Sequence, residues 1–185
     1  MLLHLEFPWV SIASDASPRE QLRYYREYRV LLRRELGDIT GISETTILNY
    51  ELGYMPIAYD KAKRLAKALE IDEKLLFDDY CRFLDYPFQL RCKELRLELG
   101  LTQFEIADKA GIARGTYGTW ECAAVRPGRE PFQKFAAFIT SQGKEVVLPF
   151  AVFQLAFSVF PRNGRLKSQS KQLGAFLRRT APFNK

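Results

Sequence analysis

Histidine is almost missing from this sequence: His4 is the single imidazole in 185 residues. Catalytic triads, Cys-His pairs and multi-histidine metal sites all need imidazoles brought together, so none of them is expected. Cysteine is scarce as well. Cys81, Cys92 and Cys122 are odd in number, widely spaced and without a CxxC pair, which fits a reducing compartment and neither a disulfide framework nor a zinc ribbon. All three read as small buried apolar groups. No apolar run reaches the ~20 residues that a membrane-spanning helix needs; the longest, residues 146–160, is 15 residues and contains Pro149. Residues 1–10 lack a basic segment and are interrupted by Glu6 and Pro8, so a secretory leader is not expected. Gly-rich phosphate loops and metal-ligand clusters are also missing, and neither cofactor nor metal is expected. Together these absences point to a cytoplasmic protein without membrane contact and without catalysis of its own.

What is present is a globular composition, 47% hydrophobic and 27% charged, with its positive charge concentrated at one end. Seven basic residues and no acidic one fall in residues 162–185, so the net charge of +6 becomes −1 for the remainder. Such a run reads as a solvated tail or as an arm that tracks phosphates. Just before it, Phe150, Phe153, Phe157 and Phe160 recur at helical spacing, a pattern of a core or docking face. Adjacent carboxylates such as Asp78 and Asp79 could hold a metal in an enzyme. In an acidic stretch they read more simply as solvated helix surface.

The sequence contains one block written twice. Residues 31–53 (LLRRELGDITGISETTILNYELG) align without a gap to residues 101–123 (LTQFEIADKAGIARGTYGTWECA). Seven of the 23 positions are identical: Leu31/Leu101, Glu35/Glu105, Asp38/Asp108, Gly41/Gly111, Ile42/Ile112, Thr46/Thr116 and Glu51/Glu121. One or two would be expected by chance at about 6% per position. Ser17-Pro18-Arg19-Glu20 is a capping box that opens a helix running to about Val30. A second short helix, about 32–38 and 102–109, ends at Gly41 or Gly111, where a residue able to take positive φ turns the chain. Ser43 then caps a third helix, and its counterpart aligns Thr116, Tyr117 and Trp120 at helical spacings. Residues 59–69 form an amphipathic helix with Ala62, Leu65, Ala66 and Leu69 inward, and residues 72–84 read as one further acidic helix. Asp85-Tyr86-Pro87 separates the copies.

Helix, helix, glycine turn, helix and covering helix resemble the phage-repressor and Cro type of helix-turn-helix, the lambda-repressor-like or Xre-type family. The resemblance is carried most fully by Leu99-Gly100-Leu101-Thr102-Gln103-Phe104-Glu105-Ile106-Ala107, by Gly111-Ile112-Ala113-Arg114 and by Trp120-Glu121. It implies an all-α chain with two tandem helix-turn-helix domains, residues 17–86 and 87–143. They follow an extension over 1–16 and precede an apolar segment over 144–161 and a basic tail over 162–185. It also implies that the third helix lies in the DNA major groove and that the start of the second meets a phosphate. Carried over by position, the contacts of the second copy are Gln103 for phosphate, then Ala113, Arg114, Gly115 and Thr119. An arginine at 114 suits guanine O6 and N7, worth about 1–3 kcal/mol of discrimination; the plainer alternative is a solvated helix arginine paired with Asp108 or another nearby acid. In the first copy the set is Arg33, Ser43, Glu44, Thr45 and Asn49. Glu44 suits cytosine N4 but repels phosphate, so this copy reads as a selective reader, a weak one or a protein-binding relic. Val30 and Leu32 stand where the second copy has Gly100 and Thr102, so a tighter, fused or differently built first turn is expected.

The expected function is a sequence-specific double-stranded DNA-binding transcription regulator, a repressor acting by occupancy and associated with the nucleoid. The 144–161 segment is a candidate for homodimer formation. The competing expectation is a protein-interaction module, such as an antitoxin or mobile-element accessory factor, whose helix-turn-helix units bind a protein partner. The near-neutral charge outside the tail favours that alternative.

Overall fold

A computed structural model of the chain describes residues 16–147, and among these residues it is all-helical: nine α-helices, one 3₁₀ turn and no strand. The contacts divide the chain into two compact units between Tyr86 and Pro87. No helix among the described residues is long and apolar enough to cross a membrane. His4, the Phe150–Phe160 stripe proposed for dimerisation and the basic tail lie outside the described residues.

In the first unit, α1 (Pro18–Tyr28) starts with proline at its first position, and the Ser17 N–H donates to the Glu20 carboxylate at 2.8 Å. α2 (Arg33–Thr40) ends at Gly41, whose φ of 66° provides the left-handed turn. α3 (Glu44–Leu52) is capped by Ser43, whose hydroxyl accepts from the Thr46 N–H. α4 (Tyr59–Leu69) buries the four positions expected of it, Ala62, Leu65, Ala66 and Leu69. These pack with Leu22, Leu36, Ile42, Ile47 and Tyr50 into one core.

The stretch after α4 differs from the single acidic helix expected over 72–84. A 3₁₀ turn (Glu73–Leu76) is followed by a separate short helix, α5 (Asp79–Asp85). Leu76 and Phe77 have to enter the core, and a continuous helix would distribute consecutive residues around its axis. The break lets both point inward, and Asp78 then restarts the chain by accepting from the Cys81 N–H at 2.9 Å. Tyr59 donates to Asp85 at 2.9 Å, and Lys63 lies 3.4 Å from both Glu73 and Asp85, which ties this stretch to α4.

The second unit holds α6 (Phe88–Glu98), α7 (Gln103–Lys109), α8 (Arg114–Glu121) and α9 (Arg129–Ser141). Each of these helices starts 70 residues after its counterpart, at 88, 103, 114 and 129 against 18, 33, 44 and 59. Its core is more aromatic. Phe132 and Phe135 stand where the first unit has Ala62 and Leu65, and Tyr117 and Trp120 pack on Phe135 with ring centroids 5.8 and 6.0 Å apart. Room for Tyr117 comes from Cys92, smaller than Leu22 at the same place, and the Tyr117 hydroxyl donates to the Cys92 carbonyl at 2.9 Å. Val146 closes the core at the position of Leu76, held by Arg91, which donates to the carbonyls of Glu145 and Val146.

Two expectations need correction. Cys81 and Cys92 are buried, but Cys122 is exposed, because it caps the end of α8 beyond the inward-facing Trp120 and Glu121. The first turn is not built differently from the second. Val30 takes a φ of 56° where Gly100 takes 65°, and both following residues accept the same arginine hydrogen bond. The missing threonine hydroxyl is also bypassed. Glu35 still reaches back to accept from the Leu32 N–H at 2.8 Å, as Glu105 does from Thr102.

Candidate functional site

In each unit a buried carboxylate at the end of the third helix collects donors from two other elements. Arg26, on α1, donates through Nε and Nη2 to the two oxygens of Glu51 at 2.5 and 3.1 Å, and through Nη1 to the Leu31 carbonyl at 3.0 Å. Arg33, the first residue of α2, adds a bond from its Nε to Glu51 Oε2 at 2.7 Å. In the second unit Arg96 donates to Glu121 at 2.6 and 3.1 Å and to the Leu101 carbonyl at 3.3 Å, and the Gln103 amide donates to Glu121 Oε2 at 2.7 Å. Paired forks of this kind are strong and directional.

In the second unit the electrostatics keep Glu121 and Arg96 charged. Burial pushes the Glu121 carboxyl up, but the hydrogen bonds from Arg96 and Gln103 outweigh it and hold the pKa below the ordinary 4.5. The bond to Glu121 in turn raises the Arg96 guanidinium above its usual value. The Glu51 side chain is only 2% exposed, so removing a partner would leave an uncompensated buried charge. The frame thus fixes where α2 and α3, or α7 and α8, start and end relative to the helix that precedes them.

Within this frame the residues chosen from the sequence fare differently. Ala113, Arg114 and Gly115 are exposed together at the start of α8, and Gln103 is exposed at the start of α7 with its amide N–H committed to Glu121. Arg114 does not follow the plainer reading of a pair with Asp108; its guanidinium lies 3.4 Å from the centroid of the Phe104 ring. Thr119 is half-buried, and its hydroxyl donates to the Thr116 carbonyl at 2.7 Å. In the first unit Ser43, Glu44 and Thr45 are exposed at the start of α3 and Asn49 is half-buried. Arg33 is tied down by Glu51, while Ser43 serves as a cap and sits 2.7 Å from the Thr46 hydroxyl.

Two participants were not singled out from the sequence. Arg26 and Arg96 stand 70 residues apart, five positions ahead of the repeated block, and extending the alignment by one helix would have exposed them. Phe104 was read only as part of a motif. Its signal is an aromatic residue on the exposed face of α7, where the aligned position of the first copy is Arg34.

Residues 22–76 match the helix-turn-helix family model, spanning α1 through the 3₁₀ turn. No curated protein and no solved structure gives a match to the chain. The matched stretch falls in the first copy, which is similar there to the helix-turn-helix family.

Proposed function

We propose that this protein is a sequence-specific double-stranded DNA-binding transcription regulator, a repressor that works by occupying its operator and has no catalytic step of its own. It uses two tandem helix-turn-helix units. The observation that carries the tandem reading is the shared frame: Arg26, Leu31, Arg33 and Glu51 make the same set of bonds as Arg96, Leu101, Gln103 and Glu121, 70 residues on. Such a frame supports a third helix seated in the major groove with its first residues toward base edges. Arg114 then faces guanine, Ala113 and Gly115 line its approach, and Gln103 abuts the backbone. In the first unit Ser43, Glu44, Thr45 and Asn49 take the corresponding places.

In vitro selection from random duplex DNA near physiological salt tests this reading. A single motif that survives removal of residues 162–185, and that loses a G·C preference at one position in Arg114→Ala, is the expected result. Binding that shows no motif and disappears with the basic tail would overturn it, because only sequence-independent phosphate attraction would remain.

One observation favours a second role for the first unit. Val30 and Leu32 are 88% and 67% exposed at the turn before α2, and Tyr54 is 78% exposed after α3. With Arg33 engaged by Glu51 and Glu44 leading α3, exposed apolar side chains such as these suit a protein partner better than they suit phosphates. Co-purification of a stoichiometric partner that is lost in a Val30→Ser, Leu32→Ser double variant would assign the unit to that role.

A further inference from the structure

The exposed face of α8 is unusually bare. Its eight residues read RGTYGTWE; Tyr117 and Trp120 are buried, and the Thr119 hydroxyl is engaged with the Thr116 carbonyl. Gly115 and Gly118 carry no side chain. A Cβ placed on Gly115 would meet nothing within 4 Å, and one on Gly118 would meet only Gln103 Oε1 at 3.8 Å. Packing therefore does not demand either glycine. Two glycines in so short a helix weaken it, and a helix accepts that where another surface must come close to its backbone. Arg114 is the one long polar side chain that this face offers before Glu121.

Arginine is flexible, and a flexible reader loses rotamer freedom when it binds. Here the guanidinium Cζ lies 3.4 Å from the centroid of the Phe104 ring. Phe104 sits on α7, whose first turn is fixed by the reciprocal Thr102 and Glu105 cap. Stacking on a ring occupies the flat face of a guanidinium and leaves its edge N–H groups directed outward. Those edge donors are the ones that match O6 and N7 of guanine.

We propose that Phe104 is a positioning residue that holds Arg114 edge-out for a single guanine, so that base discrimination by the second unit is concentrated in one G·C pair read at close range. This rests on the DNA-binding role proposed above. The test measures binding of the full chain, by fluorescence anisotropy at fixed salt, to the selected duplex and to its single base-pair substitutions. Variants Arg114→Ala, Phe104→Leu and Phe104→Tyr are compared, with thermal melting followed by circular dichroism. Arg114→Ala is expected to lose roughly five- to a hundredfold of discrimination at one G·C pair. Phe104→Leu loses roughly two- to fivefold at the same pair and at no other, with unchanged melting and salt dependence, and Phe104→Tyr restores it. If Phe104→Leu keeps full discrimination while Arg114→Ala abolishes it, DNA reading stands and the positioning role falls. If the wild-type chain prefers no base pair anywhere, the DNA reading itself fails.

Discussion

The two units keep one frame and differ in much of the core packing and surface laid over it. The carboxylate at 51 or 121 and the arginine at 26 or 96 are retained, with the same carbonyl accepting the third bond. Around them the first unit packs Leu22, Ile47, Ala62 and Leu65, and the second packs Cys92, Tyr117, Phe132 and Phe135. Aliphatic and aromatic fillings are interchangeable when volumes are traded between neighbours, as Cys92 trades with Tyr117. A fork of directed hydrogen bonds cannot be traded this way, because half of it buried alone is worse than none. The outward faces diverge further: Glu44 and Thr45 in one unit, Arg114 and Gly115 in the other.

Breaking the frame should give the largest effect and should rank the units. Glu51→Ala takes both fork bonds from the buried Arg26 and leaves it the 3.3 Å contact to Glu27 and the bond to the Leu31 carbonyl, a loss of up to about 3–5 kcal/mol. Glu121→Ala should cost less, because the Arg96 side chain is about twice as exposed as that of Arg26, 15% against 8%. Denaturant unfolding separates the two, with Trp120 emission in a Trp9→Phe background reporting the second unit and circular dichroism reporting both. Equal losses below 1 kcal/mol would show that the frame is decoration. Acid should probe the same group. The folded pKa of Glu121 lies below 4.5, so its contribution is fully present above that pH and is lost as pH falls through the depressed value. Glu121→Gln should remove that part of the acid sensitivity of the Trp120 transition.

The turns provide the next contrasts. A Cβ at Gly37 would lie 2.6 Å from the Ile42 carbonyl oxygen, a backbone atom that cannot swing aside. The second unit has Ala107 at this place, although its turn is closed by Gly111 at φ 65° just as the first is closed by Gly41 at φ 66°. Gly37→Ala should therefore destabilise the first unit by about 1–3 kcal/mol, while Ala107→Gly costs the second only about 0.5–1 kcal/mol of backbone entropy. At the preceding turn the roles reverse. Val30 is a β-branched residue at φ 56° and 88% exposed, so Val30→Gly should gain up to about 1 kcal/mol and Gly100→Val should lose about 1–2 kcal/mol. Thermal melts of the four variants would expose any that moves against its sign.

Much of this frame can be read from the residues, and what cannot has a local cause. The amphipathic run at 59–69 placed Ala62, Leu65, Ala66 and Leu69 inward because a 3.6-residue period leaves one apolar stripe. Ser43 and Gly41 announced their cap and turn by side-chain chemistry alone. Residues 72–84 misled because a run of good helix formers hides the demand of two consecutive core residues, Leu76 and Phe77, for the same side. Val30 misled because the left-handed close of α1 is made by its neighbours, the Leu31 N–H donating to the Arg26 carbonyl at 3.0 Å and the Arg26 side chain donating to the Leu31 carbonyl, with no signature at position 30 itself. The pairing of Phe104 with Arg114 spans ten positions and a turn, so only the packing of α7 against α8 brings it into view.

The smallest expected change in stability is also the one that separates fold from function. Gly115 lies in the first turn of α8 with open space around it, so Gly115→Ala should stabilise the second unit by about 0.4–1 kcal/mol through the reduced freedom of the unfolded chain. A glycine retained only for the fold would be improved by this change, and DNA affinity would hold or rise with it. A glycine retained for close approach would show the opposite pairing, a higher Trp120 unfolding midpoint together with weaker binding to the selected duplex. Gly115→Leu should weaken binding further, because a larger side chain at the position where even a Cβ has open space keeps the helix away from the groove floor. In the first unit Thr45 already occupies the aligned position with a side chain, so Thr45→Gly should lower stability there without tightening binding. If both substitutions moved stability and affinity in the same direction, the bare face of α8 would have no part in recognition, and Arg114 would have to reach its base from a distance.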